Sequence, residues 1–252
     1  MTSSSNGKSS KSPNFSGEIA KALIAGSLPG ELEGFGPAAR TAAAEFVLSA
    51  LGSRRAGQPG IAIDTITESD GRRRMRLAVV NANMPFLVDS IAGIISSKGL
   101  VIDRLLHPVI AVERDAKGAL AGLGKGKAES IIYIETDRAE AKARVEIRDE
   151  IKQALSDVRH AVNDWEALKA AMRADAEQLP AEDSALLAWF VTDNFTLLGQ
   201  AGFGTDGAFL KGLGIGQDRG ASFLSDAARK RALEHYRKGG EGLLVVKSNM
   251  LS

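Results

Sequence analysis

The chain has 252 residues, with 32 basic and 31 acidic side chains and a formal net charge of +1. This balance gives no reason to expect nucleic acid or an anionic membrane surface as a partner. The sequence contains no cysteine, which excludes disulfides, thiol catalysis and cysteine-bound zinc and is consistent with a reducing cytoplasm. Its 3 histidines are widely separated, so we expect no metal site. The longest apolar run, Ala185–Val191, is too short to cross a bilayer.

The first 60 residues divide into a polar tail and a helical segment. Residues 1–15 are rich in Ser, Lys and Asn and lack the apolar stretch of a signal peptide, so they predict a disordered tail. Apolar spacing predicts helices over residues 16–27 and 37–51 within a helical segment 16–60. A polar linker that carries Gly and Pro closes this segment.

A strand, a sharp turn and a helix are predicted between residues 74 and 99. Met75, Leu77 and Val79 alternate with other residues, which indicates a half-buried strand. Asn83 is a candidate helix N-cap, and apolar residues from position 84 onwards recur at the spacing of one helix face. Asp89 is then the sixth residue of this helix, where it is either solvated or hydrogen-bonded back to the turn.

The residues that follow favour a ferredoxin-like module over residues 61–163. Residues 101–114 predict a strand that is an edge or carries a bulge, because Pro108 cannot donate to a strand ladder. A mobile, glycine-bearing connection (residues 115–128), a strand (130–137) and a helix (139–155) are predicted next. Residues 157–163 either continue that helix or form a fourth strand. The strand alternative completes the order βαββαβ, and the usual strand order 4-1-3-2 also places Pro108 on an edge.

Residues 164–252 predict helices, a glycine-rich hairpin or loop (202–220), a helix capped by Ser222 or Ser225, and a strand at 243–247. We read this region as a helical linker followed by the start of a second, incomplete α/β module. The glycine runs at 122–126 and 212–216 lack the strand-to-helix context of a nucleotide-binding loop, which favours flexible loops. No catalytic triad or paired acid and base stands out, so we predict no catalytic, metal or cofactor site from the residues themselves.

Six stretches together resemble the N-terminal part of the large NAD-specific glutamate dehydrogenases of bacteria. They are NANMPFLVDSI (81–91), LLHPVIAVERDAKGAL (105–120), ESIIYIETDR (129–138), DVRHAVNDW (157–165), LLAWFVTDNFTLLG (186–199) and LLVVKSN (243–249). The resemblance implies ACT-like modules, which share the βαββαβ architecture. It also implies that NAD and glutamate deamination belong to domains further along the full-length proteins, so that this chain is a non-catalytic regulatory or assembly fragment.

The same resemblance implies an amino-acid effector site at the strand–helix corner, with Asn81, Asn83 and Asp89 as candidate ligands. The helix N-terminus would receive a carboxylate and Asp89 an ammonium group. An unpaired sheet edge would join this module to a second copy or to other modules of the enzyme. The alternatives are a freestanding amino-acid sensor and a corner that serves packing alone.

Overall fold

A computed structural model describes residues 15–27, 29–67 and 71–239 of the chain. The chain divides into two compact units, with the boundary between Ala154 and Leu155 inside a helix. Most of the predicted N-terminal tail and the predicted strand 243–247 lie outside the described residues. No helix in the described ranges is both long enough and apolar enough to cross a membrane.

The first unit consists of α-helices and the strands of one sheet. Its helices are α1 (Phe15–Ile24), α2 (Pro37–Ser53), α3 (Leu87–Ser97) and the start of α4 (Ala141–Asn163), with a short 3-10 turn at Pro29–Leu32. Its strands are β1 (Gly60–Thr67), β2 (Arg73–Ala82), β3 (Ile102–Leu106), β4 (Val109–Arg114), β5 (Leu120–Leu123) and β6 (Lys127–Asp137).

The six strands form one antiparallel sheet with β6 at its centre. Strand β6 pairs with β2 along one side, and with β3 and then β4 along the other. Strand β1 lies outside β2, and β5 lies outside β4. The three central strands therefore follow the predicted 1-3-2 order, and the α+β, ACT-like class is confirmed.

The predicted fourth strand is wrong, because residues 157–163 belong to helix α4. The position that it would occupy, beside β2, is taken by β1, which precedes the βαββ unit in the chain and pairs with β2 over Gly60–Thr67. The outer edge of β2 is therefore paired with a strand that comes earlier in the chain, β1, and not with one that comes later.

The single strand predicted over residues 101–114, as an edge or with a bulge, is two strands, because His107 and Pro108 separate β3 from β4. Pro108 accepts a hydrogen bond through its carbonyl from the Ile131 N–H at 2.9 Å, but it has no N–H to return. Of the two pieces, β3 has no outer neighbour among the described strands, whereas β4 pairs with β5. The predicted mobile connection is wrong for residues 120–123, which form β5.

Helices cover both faces of this sheet. Ala78, Val80, Ile131 and Tyr133 pack in one buried cluster with apolar residues of α1 and α2. Alternation along the strands turns their neighbours, Leu77, Val79, Ile132 and Ile134, to the opposite face. There the fully buried residues of α3 and α4 provide the second layer, namely Ile91, Ile95, Ile147 and Ile151. The middle segments of the two central strands, residues 77–80 of β2 and 131–134 of β6, are therefore apolar on both faces.

The second unit contains the end of α4, short helices and one hairpin. Its elements are α5 (Trp165–Ala176), α6 (Ala181–Trp189), a π-helical turn (Phe190–Asn194), β7 (Gly199–Phe203), β8 (Phe209–Gly214), α7 (Gly216–Arg219), a 3-10 turn (Gly220–Ser222) and α8 (Asp226–Arg237). Strands β7 and β8 form a separate antiparallel sheet. Of the two predicted caps of α8, Ser222 and Ser225, the structure has Ser225, whose hydroxyl accepts a hydrogen bond from the Ala228 N–H at 3.2 Å.

Three polar side chains explain why residues 157–163 are helical. Asp157, His160 and Asp164 recur at the spacing of one helix face, and each meets a residue of α7. The distances are 3.1 Å to Arg219, 3.4 Å from His160 Nδ1 to Asp218, and 2.6 Å to Gln217. A strand would turn His160 to the face opposite Asp157, so only the helix makes all three contacts.

The glycines of the run 212–216 are required by close packing of the backbone. A Cβ on Gly212 would lie 2.0 Å from the Gly216 carbonyl oxygen, and a Cβ on Gly216 would lie 1.9 Å from the Gln200 carbonyl oxygen. Gly214 has φ +56° and would bring a Cβ within 2.2 Å of the Leu198 carbonyl oxygen. The run is therefore part of an ordered hairpin, so the flexible-loop prediction is wrong here and the hairpin alternative is the one found.

We expect Gly216→Ala to lower the free energy of unfolding of the second unit by about 1–3 kcal/mol, because the methyl group collides with backbone that cannot move independently. Gly202→Ala is the matched control, since its Cβ would approach its nearest neighbour, the Lys211 carbonyl oxygen, only to 3.6 Å. Urea unfolding of both variants measures the difference. Equal midpoints for the two variants would contradict the packing role.

Candidate functional site

The corner between β2 and α3 carries the predicted site, and its turn is tighter than the sequence suggested. Helix α3 begins at Leu87, and its N-cap is Phe86, which has φ 67° in the left-handed region. Phe86 is the one non-glycine residue with positive φ in the described ranges, and its side chain is 49% exposed. The first helical hydrogen bond runs from the Ser90 N–H to the Phe86 carbonyl at 3.1 Å.

The prediction of Asn83 as N-cap is wrong because Asn83 still belongs to the sheet. Its N–H donates to the Ala128 carbonyl at 3.1 Å, which extends the β2–β6 ladder by one residue. Its Oδ1 accepts a hydrogen bond from the Ser130 hydroxyl at 2.8 Å. Both bonds anchor Asn83 to β6 and leave its Nδ2 group without a hydrogen-bond partner among the described residues.

Asn81 lies deeper in the same corner. It is only 2% exposed and pairs in register with Ser130, the residue whose hydroxyl binds Asn83. Its Nδ2 donates to the Ala82 carbonyl at 3.1 Å. Asn81 and Asn83 are therefore brought together on one face of the sheet around Ser130. Ser130 was not predicted from the sequence, because its contact with Asn83 depends on the register of β6 with β2.

Asp89 is the third residue of α3, not the sixth, and it is exposed. The hydrogen bonds of the described ranges include none between Asp89 and Asn81 or Asn83, so the solvated alternative is the one found. A carboxylate in the first turn interacts favourably with the partial positive charge of the helix N-terminus. The structure thus unites the two asparagines and places Asp89 on the helix that follows them.

The N-terminus of α3 presents amides that no cap satisfies. Phe86 makes no side-chain capping bond, and the amides of Leu87, Val88 and Asp89 precede the first intrahelical bond. Such amides, with the helix dipole behind them, can bind a carboxylate. The corner can therefore recognise an anionic group, and it contains a neutral amide donor in Asn83. The assignment of Asn81, Asn83 and Asp89 as ligands stays a prediction.

A buried ion cluster lies behind the corner, on the opposite face of the sheet. The Glu129 side chain is 3% exposed and meets two guanidinium groups. Arg114 binds both of its oxygens at 2.8 Å, and Arg54 binds Oε1. Arg114 also donates to the carbonyls of Gly118 (2.8 Å) and Leu51 (3.1 Å). This cluster ties β6, β4, a loop and α2 together and was not predicted.

Neither unit offers a set of metal-binding side chains in its described part, where no three His, Asp or Glu residues lie close enough to hold an ion.

The pKa of the Tyr133 phenol is raised, mainly by burial and to a smaller extent by the negative charge of Glu135, so this group stays protonated.

The fold and the corner together define an ACT-like α+β module. A family model described as glutamate dehydrogenase, ACT1 domain, matches residues 19–151, which is more than half of the chain. The chain therefore belongs to this family. The match confirms the resemblance stated for the sequence and includes α2, the sheet and the start of α4.

Two curated relatives are both named NAD-specific glutamate dehydrogenase. The protein of Halomonas elongata is 33% identical over 143 residues, and that of Pseudomonas aeruginosa is 33% identical over 145 residues. These alignments cover 49% and 50% of the chain, but 9% of each relative. The matched part of the chain thus spans about a tenth of the length of these relatives.

We expect Glu129→Gln to lower the free energy of unfolding by about 3–5 kcal/mol, because it removes the charge of the buried carboxylate to which Arg114 and Arg54 donate. Glu113→Gln, on the neighbouring strand β4, is the control, since Glu113 is exposed. Urea unfolding compares the two variants. A change of less than about 1 kcal/mol in Glu129→Gln would show that the cluster contributes no more than a surface ion pair.

Proposed function

We propose that this chain is a non-catalytic regulatory or assembly region of a cytoplasmic NAD-specific glutamate dehydrogenase. In this proposal, NAD binding and the oxidative deamination of glutamate belong to other parts of the full-length protein. Membership of the ACT1 family supports the proposal. The ion cluster around Glu129 also supports it, because these charged side chains hold the layers of the module together.

The observation that carries the assembly role is the outer edge of β1, with which no described strand pairs. Strand β1 has 8 residues and one neighbour among the described strands, β2. The Thr65 N–H donates to the Asp64 side chain at 2.7 Å, so this amide points away from β2. Because amides alternate along a strand, those of Ile61 and Ile63 also point outward.

An edge of this kind is a template for a further strand. The sequence of β1, GIAIDTIT, contains no proline, and Asp64 is its one charged residue, so the residues before Asp64 lack the features that block edge pairing. Main-chain hydrogen bonds from a second copy, or from another module of the same enzyme, would extend the six-stranded sheet. We assign this edge as the assembly surface.

We expect Ile63→Pro to abolish self-association of the chain. Proline removes an outward N–H and is tolerated where that group makes no bond within the sheet. Ile63→Ala is the matched control, because it loses the same side chain but keeps the amide. Sedimentation velocity over a concentration series measures the mass of each variant. We expect the wild type and Ile63→Ala to associate and Ile63→Pro to remain monomeric.

A wild-type chain that remains monomeric at every concentration would contradict self-association through β1. Equal association of Ile63→Pro and Ile63→Ala would show that the contact lies elsewhere. Circular dichroism of both variants verifies that β1 still pairs with β2.

The open amides of α3 favour a second function, a freestanding amino-acid sensor. In this alternative the amides after Phe86 bind the carboxylate of an amino acid, the Asn83 Nδ2 group donates to it, and Asp89 attracts its ammonium group. The left-handed conformation of Phe86 supports this alternative, since strained residues concentrate at functional sites.

We expect saturable heat when a panel of amino acids is titrated into the chain, and loss of that heat in Asn83→Ala. Ser130→Ala is the control, because it removes the hydrogen bond to Asn83 but leaves the Asn83 side chain in place. Binding retained in Ser130→Ala and lost in Asn83→Ala would support direct contact. Equal loss in both variants would reduce Asn83 to a structural role, and no heat with any amino acid would leave assembly as the function.

A further inference from the structure

The hydrogen-bonding pattern of the sheet fixes which main-chain groups of β1 face outward. The Asn83 N–H donates to a carbonyl of β6, so odd-numbered residues of β2 bond to β6 and even-numbered ones to β1. The register of β1 with β2 therefore places the main-chain groups of Ala62 and Asp64 in bonds to β2. Those of Ile61 and Ile63, both N–H and C=O, point away from the sheet and are available to a further strand.

The side chains of these two isoleucines are also incompletely covered. Ala62 packs against the apolar cluster beneath α1 and α2, so alternation along the strand places Ile61 and Ile63 on the opposite face of the sheet. Both are only half-buried. A strand added beside β1 would cover them further, and removal of apolar surface from water favours association. The added strand is therefore expected to be apolar at the positions opposite them.

The β1 strand of a second copy meets this condition when the two strands run antiparallel. With a twofold axis at Ala62, Ile61 lies opposite Ile63 of the second copy, and Ile63 lies opposite its Ile61. Each of these pairs exchanges two main-chain hydrogen bonds, because the groups of both residues point outward in both copies. The two Ala62 residues face each other across the axis, as the isologous contact of a twofold dimer requires.

The charge of Asp64 distinguishes this register from those on one side of it. An axis one residue later would require the Thr65 amide, which already donates to the Asp64 side chain at 2.7 Å. An axis at Asp64 would set two carboxylates directly opposite each other, and like charges in that position are destabilising. With the axis at Ala62, Asp64 lies opposite Gly60 of the second copy. Its bond to Thr65 and its ion pair with Arg76, at 3.2 Å, then stay intact.

Pro59 disfavours the shift in the other direction. An axis at Ile61 would place Ile63 opposite Pro59, which precedes β1 and has no N–H to donate. The register with its axis at Ala62 therefore makes full use of the outward groups of both isoleucines, without opposed charges and without breaking a bond of the single chain.

We propose that two copies of this chain pair through β1 in antiparallel orientation, with the twofold axis at Ala62. This pairing rests on the assembly role proposed for the edge and identifies the partner as a second copy. The six strands of each copy then continue into those of the other as one sheet.

Single cysteines report the register, because the chain contains no cysteine of its own. Residues that face each other at the axis have Cα atoms about 4.5 Å apart, within the range that a disulfide bridges. We expect Ala62→Cys, oxidised with copper–phenanthroline, to form covalent dimers on a non-reducing gel. Ile63→Cys and Asp64→Cys are expected to remain at the background level of Ala121→Cys, since each then lies about 7 Å or more along the strand from its copy. Ala121 is the matched control, an exposed alanine of β5 at the other end of the strand order.

A mixture of two variants tests the same register without changing Ala62. Ile61→Cys and Ile63→Cys chains are expected to crosslink to each other when mixed but not when oxidised separately, because these positions lie opposite each other only between copies. Thermal melting of every reduced variant verifies that it is folded, and a small thiol is tolerated at partly buried apolar positions.

The outcomes separate the register from the assembly role. Association of the chain in sedimentation velocity without crosslinks in Ala62→Cys and in the mixture would overturn the register while the assembly role stands, as would self-crosslinking of Ile63→Cys or Asp64→Cys above background. A wild-type chain that stays monomeric would overturn pairing with a second copy and leave the edge to another module. Equal crosslinking of Ala62→Cys with and without Ile63→Pro would overturn the assembly role of the edge as well.

Discussion

Two arginine–glutamate pairs at the ends of β6 hold the first unit together. Glu129 and Glu135 lie on the same face of this strand, and between them the side chains on that face are Ile131 and Tyr133. Arg114 of β4 reaches the first carboxylate and Arg104 of β3 the second. Each arginine also donates to carbonyls of the N-terminal segment, at Leu51 and at Glu33. The helical layer is thus attached to the sheet by charged hydrogen bonds at both ends and by apolar contacts between them.

This arrangement explains how a sheet with two covered faces tolerates charged residues in its central strands. A buried carboxylate is costly unless it is paired and hydrogen-bonded, and both glutamates of β6 meet that condition. The break at His107 and Pro108 divides one long strand into two, and each half supplies one arginine. The proline therefore separates two equivalent anchoring points along the same edge of β6.

Local sequence signals predicted much of this fold, and the failures have a common cause. Alternation in β2, an irregularity of the strand ladder at Pro108 and a serine cap for α8 depend on neighbouring residues, so they could be predicted from the sequence. The helical state of residues 157–163 depends on contacts with α7, more than fifty residues further on. The same holds for the site: Asn81 and Asn83 were visible beside the turn, but Ser130 and Glu129 gain their roles only through the register of β6 with β2.

The position of β1 determines which fragments of the first unit can keep a complete sheet. The strand that completes the sheet beside β2 comes from upstream, and so do the helices that cover one face. A fragment that started at Arg73, the first residue of β2, would leave one edge of β2 unpaired and expose the apolar side chains beneath α1 and α2. A piece that keeps both this strand and the helical cover must therefore include α1, α2 and β1 as well as the βαββ unit.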